Sequence, residues 1–269
     1  MFFQDQNLLP ASLAYQNIPT NLQKSSSLAL SFLPLPPNWE MKLYGSSLIE
    51  RHHHARVQLI RHHLPPAKSV LDLGGAAAEQ KCGALLAMGY PHHLDRIHIV
   101  DLPMTERIYE PSQIPEAKDH IHGNCKVSYS YHPMHKLEKL VGKLRFDMIW
   151  MGQTVEHISP RQLENILEFS RDLLNENGVF CLDTPNRLIT KLLDPNRYIH
   201  PDHKLEYTPD QLSKIFDKHG YRCIQSKAVT PLPLSLRTGL IHRIETFKGA
   251  LISDKPSEGF SFYMKFVRK

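Results

Sequence analysis

Glutamate and histidine side chains follow an apolar run in the middle of the chain. The run FDMIW leads into WMGQTVEHI, residues 150–158, which carries Gln153, Glu156 and His157. One helical turn can bring residues at these spacings together on one side. Glutamate and histidine can bind a metal ion or take up a proton near neutral pH. The segment therefore predicts acid–base or metal chemistry at the end of a buried strand.

Two further histidines lie downstream, in YIHPDHKLEYTPDQL. His200 and His203 follow the next predicted strand and precede a helix. The carboxyl ends of parallel strands open on the same edge of a sheet. We therefore expect Glu156, His157 and His203 to converge in one site, with Gln153 and His200 at its margin.

A second chemical signal lies upstream, in VLDLGGAAAEQ. A short apolar strand ends at Gly74 and Gly75, and a run of small residues is expected to open a helix there. Glycine and alanine let a ligand approach the backbone closely, and a helix N-terminus offers unpaired N–H groups. Asp101 ends the next strand, IHIVDLP, where an acid can accept hydrogen bonds from ribose hydroxyls. Together these features predict a nucleoside site, without the G-x-G-x-x-G spacing of dinucleotide binders.

The elements that must position these residues alternate along the chain. Alternation of strands and helices predicts an α/β fold with a largely parallel sheet and helices on both faces. The predicted strands are SVLDLG, RIHIVDL, KVSYSY, FDMIWM, VFCLDTP, YRCIQSKAV and GFSFYMKFV. The predicted helices are SSLIERHHHARVQLIRHH, AEQKCGALLAMG, SPRQLENILEFSRDLLNENG and TPDQLSKIFDKHG, the last with an N-cap Thr208 and a capping box to Gln211. Adjacent helical residues point apart, so we interpret the triplet His52 to His54 as solvated surface.

The remaining chain is divided by its composition. Residues 1–45 are irregular and rich in proline and serine, which predicts either a tail or an arm that closes over the site. Residues 46–269 are expected to form the domain, with residues 230–258 inserted before the last strand. We expect this insertion and the arm to cover the acceptor pocket, because loops on such scaffolds carry specificity.

Composition narrows the class of protein. With 269 residues, 41% hydrophobic residues and 22% charged residues, the chain can bury a substantial core. The net charge of +5 comes without a concentrated basic run, which argues against nucleic acid as the partner. Four widely spaced cysteines, no signal peptide and no apolar run long enough to span a membrane predict a soluble, cytoplasmic protein. The sequence leaves the oligomeric state open.

The motifs resemble those of class I S-adenosylmethionine-dependent methyltransferases. VLDLGGAAA is similar to their first motif, VLDLGxGxG, with Ala76 and Ala78 in place of glycines, and LLNENGVFCLDTPNR resembles their fifth strand and its approach. The resemblance implies a Rossmann-like sheet of seven strands, antiparallel at the last strand, with S-adenosylmethionine across its carboxyl edge. It implies cofactor contacts from Asp72, Gly74, Gly75 and Ala76 (methionine part), Asp101 and Leu102 (ribose), Met134 (adenine), and Gly152 and Gln153 (sulfonium).

The pattern Q-x-x-E-H, T-P-N and H-P-D-H-K-x-E-Y-T resembles two subgroups of that family. One contains bacterial methyltransferases of glycan and natural-product pathways. The other methylates the terminal 2′-hydroxyl of small RNAs and uses Glu-x-x-Glu-His with a distant histidine to hold magnesium. In this match Glu156, His157 and His203 keep the pattern, and Gln153 replaces the first glutamate.

The sequence therefore predicts an O-methyltransferase acting on a hydroxyl of a sugar, a glycan precursor or another small metabolite. Two mechanisms fit: Gln153, Glu156, His157 and His203 hold Mg²⁺ or Mn²⁺ beside the hydroxyl, or a histidine oriented by Glu156 takes the proton directly. Divalent ions prefer carboxylates, so glutamine at position 153 favours direct proton transfer. The alternatives are an RNA 2′-O-methyltransferase, which would need a basic or aromatic platform, and a degenerate fold that only binds.

Overall fold

The computed structural model describes residues 48–77, 80–103, 106, 117–232 and 249–269. The predicted arm over residues 1–45 and most of the predicted insertion, residues 233–248, lie outside the described residues. The described part contains the whole sheet and every residue predicted above to serve the site except Ala78.

Within the described residues, a mixed sheet of nine strands forms the centre of the fold. In spatial order the strands run β3-β4-β2-β1-β5-β6-β9-β7-β8. The strands are β1 (Ser69–Leu73), β2 (Arg96–Asp101), β3 (His120–His122), β4 (Cys125–Tyr131), β5 (Phe146–Gly152), β6 (Leu174–Pro185), β7 (Tyr221–Pro231), β8 (Ile252–Ser253) and β9 (Gly259–Arg268).

The strand directions match the predicted sheet and place four strand ends at the site. β4, β2, β1, β5 and β6 pair in parallel, while β9 runs antiparallel to both β6 and β7. This confirms the predicted α/β class and the antiparallel last strand. β3 and β8 are short antiparallel strands at the two edges that the sequence did not predict. The carboxyl ends of β1, β2, β5 and β6 lie on one edge, where the functional motifs are.

Five helices accompany the sheet in the described part of the chain. They are α1 (Leu48–His63), α2 (Ala84–Ala87), α3 (Pro160–Leu173), α4 (Arg187–Leu193) and α5 (Pro209–Lys218), with single 3₁₀ turns at Val155–His157 and Pro256–Glu258. The α5 start is as predicted: the Thr208 hydroxyl accepts from the backbone N–H of Gln211, whose side chain in turn accepts from the Thr208 N–H. This reciprocal cap satisfies two backbone donors that the helix leaves unpaired.

The helices cover both faces of the sheet, as predicted. Buried side chains of α3 and α5, including Ile166 and Phe216, belong to one apolar cluster. Ala55 and Leu59 of α1, with Leu85 of α2, belong to a second cluster. Each fully buried large aliphatic side chain contributes roughly 1.5–3 kcal/mol. The two cores therefore hold α1 and α3 firmly against the strand ends that carry the site.

Two predicted helices are shorter than the sequence suggested. The helix expected over AEQKCGALLAMG begins only at Ala84, because the chain first turns through Gly83, whose φ is 84°. The backbone N–H of Ala84 donates to the Gly75 carbonyl at 2.8 Å, which ties this loop to the glycine turn. The helix expected to run to Gly178 ends at Leu173, because Leu174 already has extended dihedrals and starts β6.

The interpretation of the histidine triplet as solvated surface was wrong for His52. Its side chain is half-buried, with Nδ1 3.0 Å from Thr230 Oγ1 and Nε2 3.2 Å from Ser261 Oγ. Burial, with the charge of Arg56 second, lowers its pKa to about 3, so the ring is neutral. His54 alone of the triplet is exposed.

Two further features concern the cysteines and the length and apolar character of the helices. All four cysteines lie in the described part of the chain and none forms a disulfide. No described helix combines the length and apolar character needed to cross a membrane.

Candidate active site

The turn after β1 packs directly against the turn after β5. Gly74 has a φ of 81°, and its N–H donates to the Val100 carbonyl at 2.8 Å. A β-carbon at this position would lie 2.7 Å from the side chain of Thr154. Only glycine fits this conformation and this gap without strain. The predicted cofactor loop and the Glu-His segment are therefore in contact.

An unpartnered carboxyl group lies beneath this loop. Asp72 is 1% exposed, and within the described residues neither of its carboxyl oxygens has a hydrogen-bond partner. A β-carbon on Gly75 would lie 2.0 Å from its Oδ2 atom. Burial and the carboxylate of Asp101 raise the pKa of Asp72 to about 8. A buried polar group without a partner is costly, so Asp72 fits a site in which a ligand donates to it.

Asp101, at the end of β2, is held in a fixed orientation. Its Oδ2 accepts from the Ala76 N–H at 3.0 Å, and its Oδ1 accepts from the Leu102 N–H at 2.7 Å. The His132 N–H donates to the Asp101 carbonyl at 2.8 Å and brings the loop after β4 alongside. These bonds fix the carboxylate at the end of β2, the position at which the sequence predicted a ribose contact.

Met134 lies in this loop after β4, where the adenine was expected. Its side chain is only 8% exposed and packs in the apolar core with Leu73 and Val100. The segment is thus beside the predicted nucleoside site, while the Met134 side chain mainly supports the core.

The second predicted constellation comes together in three dimensions. Glu156 and His157 lie on the 3₁₀ turn after β5, and His203 lies in the loop before α5. One ligand atom from each of the three side chains lies within 4.8 Å of the others. The His157 and His203 ring centroids are 4.9 Å apart, and His200 stands further out, 6.2 Å from His157.

Glu156 is the most buried member of this group. Its side chain is 1% exposed, and its Oε2 accepts from Thr184 Oγ1 at 2.9 Å. Burial raises its pKa to about 7, despite the opposing influence of His203. The Lys204 N–H donates to the Glu156 carbonyl at 2.8 Å, which ties the two loops of the site together.

In both histidines Nδ1 lies within hydrogen-bond distance of an oxygen outside the group. His157 Nδ1 lies 3.3 Å from the Asp202 carbonyl, and His203 Nδ1 lies 2.7 Å from Glu206 Oε1. Carbonyl and carboxylate oxygens only accept, so Nδ1 carries the proton in both rings. Burial, and then His203, lower the pKa of His157 to about 4, so this ring is neutral at physiological pH. The ring of His157 therefore keeps Nε2 as its lone-pair nitrogen.

The comparison with protein families now decides the class. A family model described as a methyltransferase domain matches residues 49–226, which includes both the glycine turn and the Glu-His-His group. The chain belongs to this methyltransferase domain family. It is a class I S-adenosylmethionine-dependent methyltransferase. No match was found among curated proteins.

Solved structures share the fold of this methyltransferase. The small RNA methyltransferase HEN1 superimposes with a TM-score of 0.55 and 18% identity, over 88% of this chain and 27% of that chain. A SAM-dependent methyltransferase, possible histamine N-methyltransferase, from Thermotoga maritima has a TM-score of 0.53 and 15% identity, over 82% and 93% of the two chains. A SAM-dependent methyltransferase from Archaeoglobus fulgidus has a TM-score of 0.50 and 16% identity, over 86% and 97%. At these low identities the similarity shows a shared fold and nothing more. This chain spans about 27% of the length of the small RNA methyltransferase.

Gln153 is the position at which the methyltransferase departs from the Glu-x-x-Glu-His pattern. It is held by hydrogen bonds to Asp183, at the end of β6. Its backbone has a φ of 53°, unusual for a non-glycine residue. Its N–H donates to the Asp183 carbonyl at 2.8 Å, and its Nε2 donates to Asp183 Oδ2 at 2.7 Å. The Asp183 carboxylate is fully buried and also accepts from Arg56 Nε at 2.8 Å. A glutamate at 153 would face this carboxylate, which explains why an amide occupies the position.

Packing explains why the last residue of β5, Gly152, is a glycine. A β-carbon there would lie 2.8 Å from the Trp150 ring, so the strand can enter the Gln153 turn only with glycine. Gly152 pairs with Asp183 across the parallel ladder. Gly152 and Gln153, the two residues predicted to lie near the sulfonium, are therefore both adjacent to Asp183 in the methyltransferase.

Sequence reasoning missed four residues that hold the methyltransferase site: Arg56, Asp183, Thr184 and Glu206. Asp183 and Thr184 end a buried strand next to the Glu-His segment, which is a signal that could have found them. Glu206 lies three residues after His203, within reach of its ring. Arg56 gave no signal in the sequence, because only the packing of α1 on the sheet brings it to Asp183.

Proposed function

We propose that this methyltransferase transfers a methyl group from S-adenosylmethionine to a hydroxyl of a sugar, a glycan precursor or another small metabolite. The observation that carries the proposal is the convergence of Glu156, His157 and His203 beside the glycine turn at Gly74. A hydroxyl is a poor nucleophile until its proton is removed, whereas nitrogen and sulfur acceptors need less help. A buried acid and two imidazoles supply that help where the methyl donor is expected.

The residues of the cofactor site fit S-adenosylmethionine. When bound, the cofactor supplies a methyl group already activated by its sulfonium charge. The turn at Gly74 and Gly75 leaves room for close approach, and Asp72 offers a buried acceptor without a partner among the described residues. Asp101, oriented by the Ala76 and Leu102 amides, would accept from the ribose hydroxyls.

The donor set beside it fits a divalent cation. One carboxylate and two imidazoles can bind a divalent ion completed by water or substrate oxygen, and they suit Mn²⁺ better than Mg²⁺, because Mg²⁺ prefers oxygen ligands throughout. Such an ion, when bound, lowers the pKa of a coordinated hydroxyl. Glu156, His157 and His203 would hold it, and Thr184 and Glu206 would orient them. Gln153 is committed to Asp183, so we assign it to positioning the turn rather than to ligation.

Direct proton transfer to a histidine remains the alternative mechanism. His157 is neutral, with Nε2 able to accept a proton. The sequence favoured this mechanism because a glutamine replaced the first carboxylate. We now favour the ion, because both rings are fixed with their protons on Nδ1, the arrangement typical of metal-ligating histidines. Chelation separates the two: activity that persists in EDTA would require direct proton transfer.

The second candidate acceptor is the terminal ribose 2′-hydroxyl of an RNA. The Glu156, His157 and His203 pattern supports it, as does the fold shared with a small RNA methyltransferase. The small net charge and the lack of a concentrated basic run in the sequence argue against an RNA acceptor.

Transfer of labelled methyl groups tests the proposal and its alternatives. The full chain is incubated with methyl-labelled S-adenosylmethionine, Mn²⁺ and three acceptor sets: sugars and glycan precursors, small hydroxyl metabolites, and short RNAs ending in a 2′,3′-diol. RNAs ending in a 2′-deoxyribose are the matched control. We expect an O-methyl product from a small hydroxyl acceptor. RNA methylation lost with the 2′-deoxy end would favour the second candidate. Tight cofactor binding with no transfer to any set would favour a degenerate fold.

A further inference from the structure

We propose that Glu206 is a positioning residue that holds His203 as a ligand for a divalent cation. The proposal rests on the proposed cation site and adds to it a residue that does not itself touch the ion. Its evidence is the hydrogen bonding of one buried carboxylate.

Glu206 holds the ring of His203 through a hydrogen bond to Nδ1. The side chain of Glu206 is 2% exposed, and its Oε1 lies 2.7 Å from Nδ1 of His203. The same oxygen accepts from the Ile199 N–H at 2.7 Å. The ring therefore cannot rotate without breaking a bond to a carboxylate that is itself anchored.

The second carboxylate oxygen anchors Glu206 to a neighbouring element. Oε2 accepts from the Thr190 hydroxyl and lies 3.5 Å from Arg187 Nη1. Both residues belong to α4, which follows β6 and therefore the Thr184 and Asp183 strand end. Glu206 thus links the loop that carries His203 to the strand end that holds Glu156.

The contacts of the carboxylate fix which ring nitrogen of His203 it engages. The ring of His203, the Thr190 hydroxyl and the Ile199 N–H all hydrogen-bond to the Glu206 carboxylate. A carboxylate beside Nδ1 accepts the Nδ1 proton and leaves Nε2 as the nitrogen available to an ion. Removing such a partner from a metal-bound histidine typically reduces metal affinity about 10–100-fold.

If Glu206 only stabilised the fold, replacing it would lower the melting temperature without a specific loss of Mn²⁺ affinity. A second carboxylate far from the site serves as the matched control for such a structural effect. Asp147 lies at the opposite end of β5, where its carboxylate accepts from the Lys68 N–H, the Ser69 N–H and Asn175. Asp147→Asn therefore weakens a comparable carboxylate anchor far from the site. Glu206→Gln keeps the size of the side chain and removes its charge.

The experiment measures Mn²⁺ affinity of the full chain by isothermal titration calorimetry, with S-adenosylhomocysteine affinity and the melting temperature measured on the same samples. We expect Glu206→Gln to lose at least about 10-fold in Mn²⁺ affinity while binding S-adenosylhomocysteine as the parent does. Asp147→Asn should melt earlier with unchanged Mn²⁺ affinity. Glu206→Asp retains the charge but is one methylene shorter and reaches His203 Nδ1 less closely, so its Mn²⁺ affinity should fall between those of Glu206→Gln and the parent.

The outcomes separate this proposal from the proposed function. If the unsubstituted protein binds no Mn²⁺, the proposed cation site itself is wrong. A parent that binds Mn²⁺, with Glu206→Gln binding it equally well, overturns the role of Glu206 and leaves the site standing. If Glu206→Gln does not fold, the Glu206→Asp comparison decides: Mn²⁺ affinity reduced no more than in Asp147→Asn overturns the proposal.

Discussion

The ring of His157 meets the ring of His203 edge to face, at an interplanar angle of 81° and a centroid distance of 4.9 Å. The two residues come from different loops, one after β5 and one before α5. Nδ1 of His157 lies 3.3 Å from the Asp202 carbonyl, and Nδ1 of His203 lies 2.7 Å from Glu206 Oε1. One ligand atom from each ring and one from Glu156 lie within 4.8 Å of one another, and the following predictions derive from this group.

Removing either ring should abolish most of the activity. We expect His157→Ala and His203→Ala each to lower kcat/KM by a factor of roughly 10² or more, since ligation and proton acceptance both need these rings. His54→Ala, on the exposed side of α1, is the matched control and should retain parental kcat/KM. Steady-state kinetics with the acceptor found in the labelling experiment make the comparison. Near-parental rates in both site variants would exclude this group from the reaction.

Removing the Asp101 carboxylate should weaken cofactor binding. Asp101→Ala loses hydrogen bonds to the ribose, each contributing on the order of 1 kcal/mol and more when charge-assisted. Calorimetry with S-adenosylhomocysteine should then show at least about a 5-fold loss of affinity. Asp95→Ala, an exposed acid preceding the same strand, serves as the control. Equal affinity in Asp101→Ala and the parent would show that the ribose lies elsewhere, and a preference for NADH would contradict the cofactor itself.

The buried carboxyl of Asp72 should make the stability of the cofactor-free protein depend on pH. Its pKa is raised from its ordinary value of 3.8 to about 8. The unfolded chain therefore releases this proton near pH 4 and the folded chain only near pH 8, so stability is present below pH 4 and is lost as pH rises to about 8.

Replacement of Asp72 by asparagine should remove this loss. At pH 8 we expect Asp72→Asn to melt at least about 5 °C above the parent, with the difference shrinking towards pH 4. Thermal unfolding without cofactor measures it, and Asp95→Asn controls for loss of a surface charge. A difference between Asp72→Asn and the parent that does not change with pH would contradict the assignment.

Glutamate at position 153 should destabilise the protein. Gln153→Glu replaces a donor to Asp183 by a second carboxylate in a buried setting, and like charges there repel strongly. We expect a melting temperature lower by several degrees at pH 8, and partial recovery in Gln153→Glu combined with Asp183→Asn. Gln153→Met removes the donor without adding charge and should fall between the parent and Gln153→Glu. Parental stability of Gln153→Glu would contradict this role of the hydrogen bonds between Gln153 and Asp183.

The strands and the main site could be predicted because their signals are local. Apolar runs ending in Gly74 or Gly152 marked buried strands, and parallel strands open on one edge, so the meeting of Glu156 with His203 followed from topology. The lengths of α2 and α3 did not follow, because contacts such as the Ala84 N–H with the Gly75 carbonyl, which ties the loop before α2, are tertiary.

The supporting residues could not be predicted for a similar reason. The ring nitrogens of His52 contact Thr230 and Ser261, which lie far along the chain. Arg56 reaches Asp183 only after α1 packs on the sheet. Charged pairs of this kind depend on distances that sequence spacing does not encode. Local pattern therefore located the reacting groups, and the three-dimensional structure was needed to find what holds them.

The location of a bound divalent ion tests the central claim most directly. Crystals grown with S-adenosylhomocysteine and soaked in Mn²⁺ would show it by anomalous scattering. We predict one strong peak between Glu156, His157 and His203, absent from crystals of His203→Ala treated in the same way. No peak at that position, or a peak that persists in His203→Ala, would contradict the account.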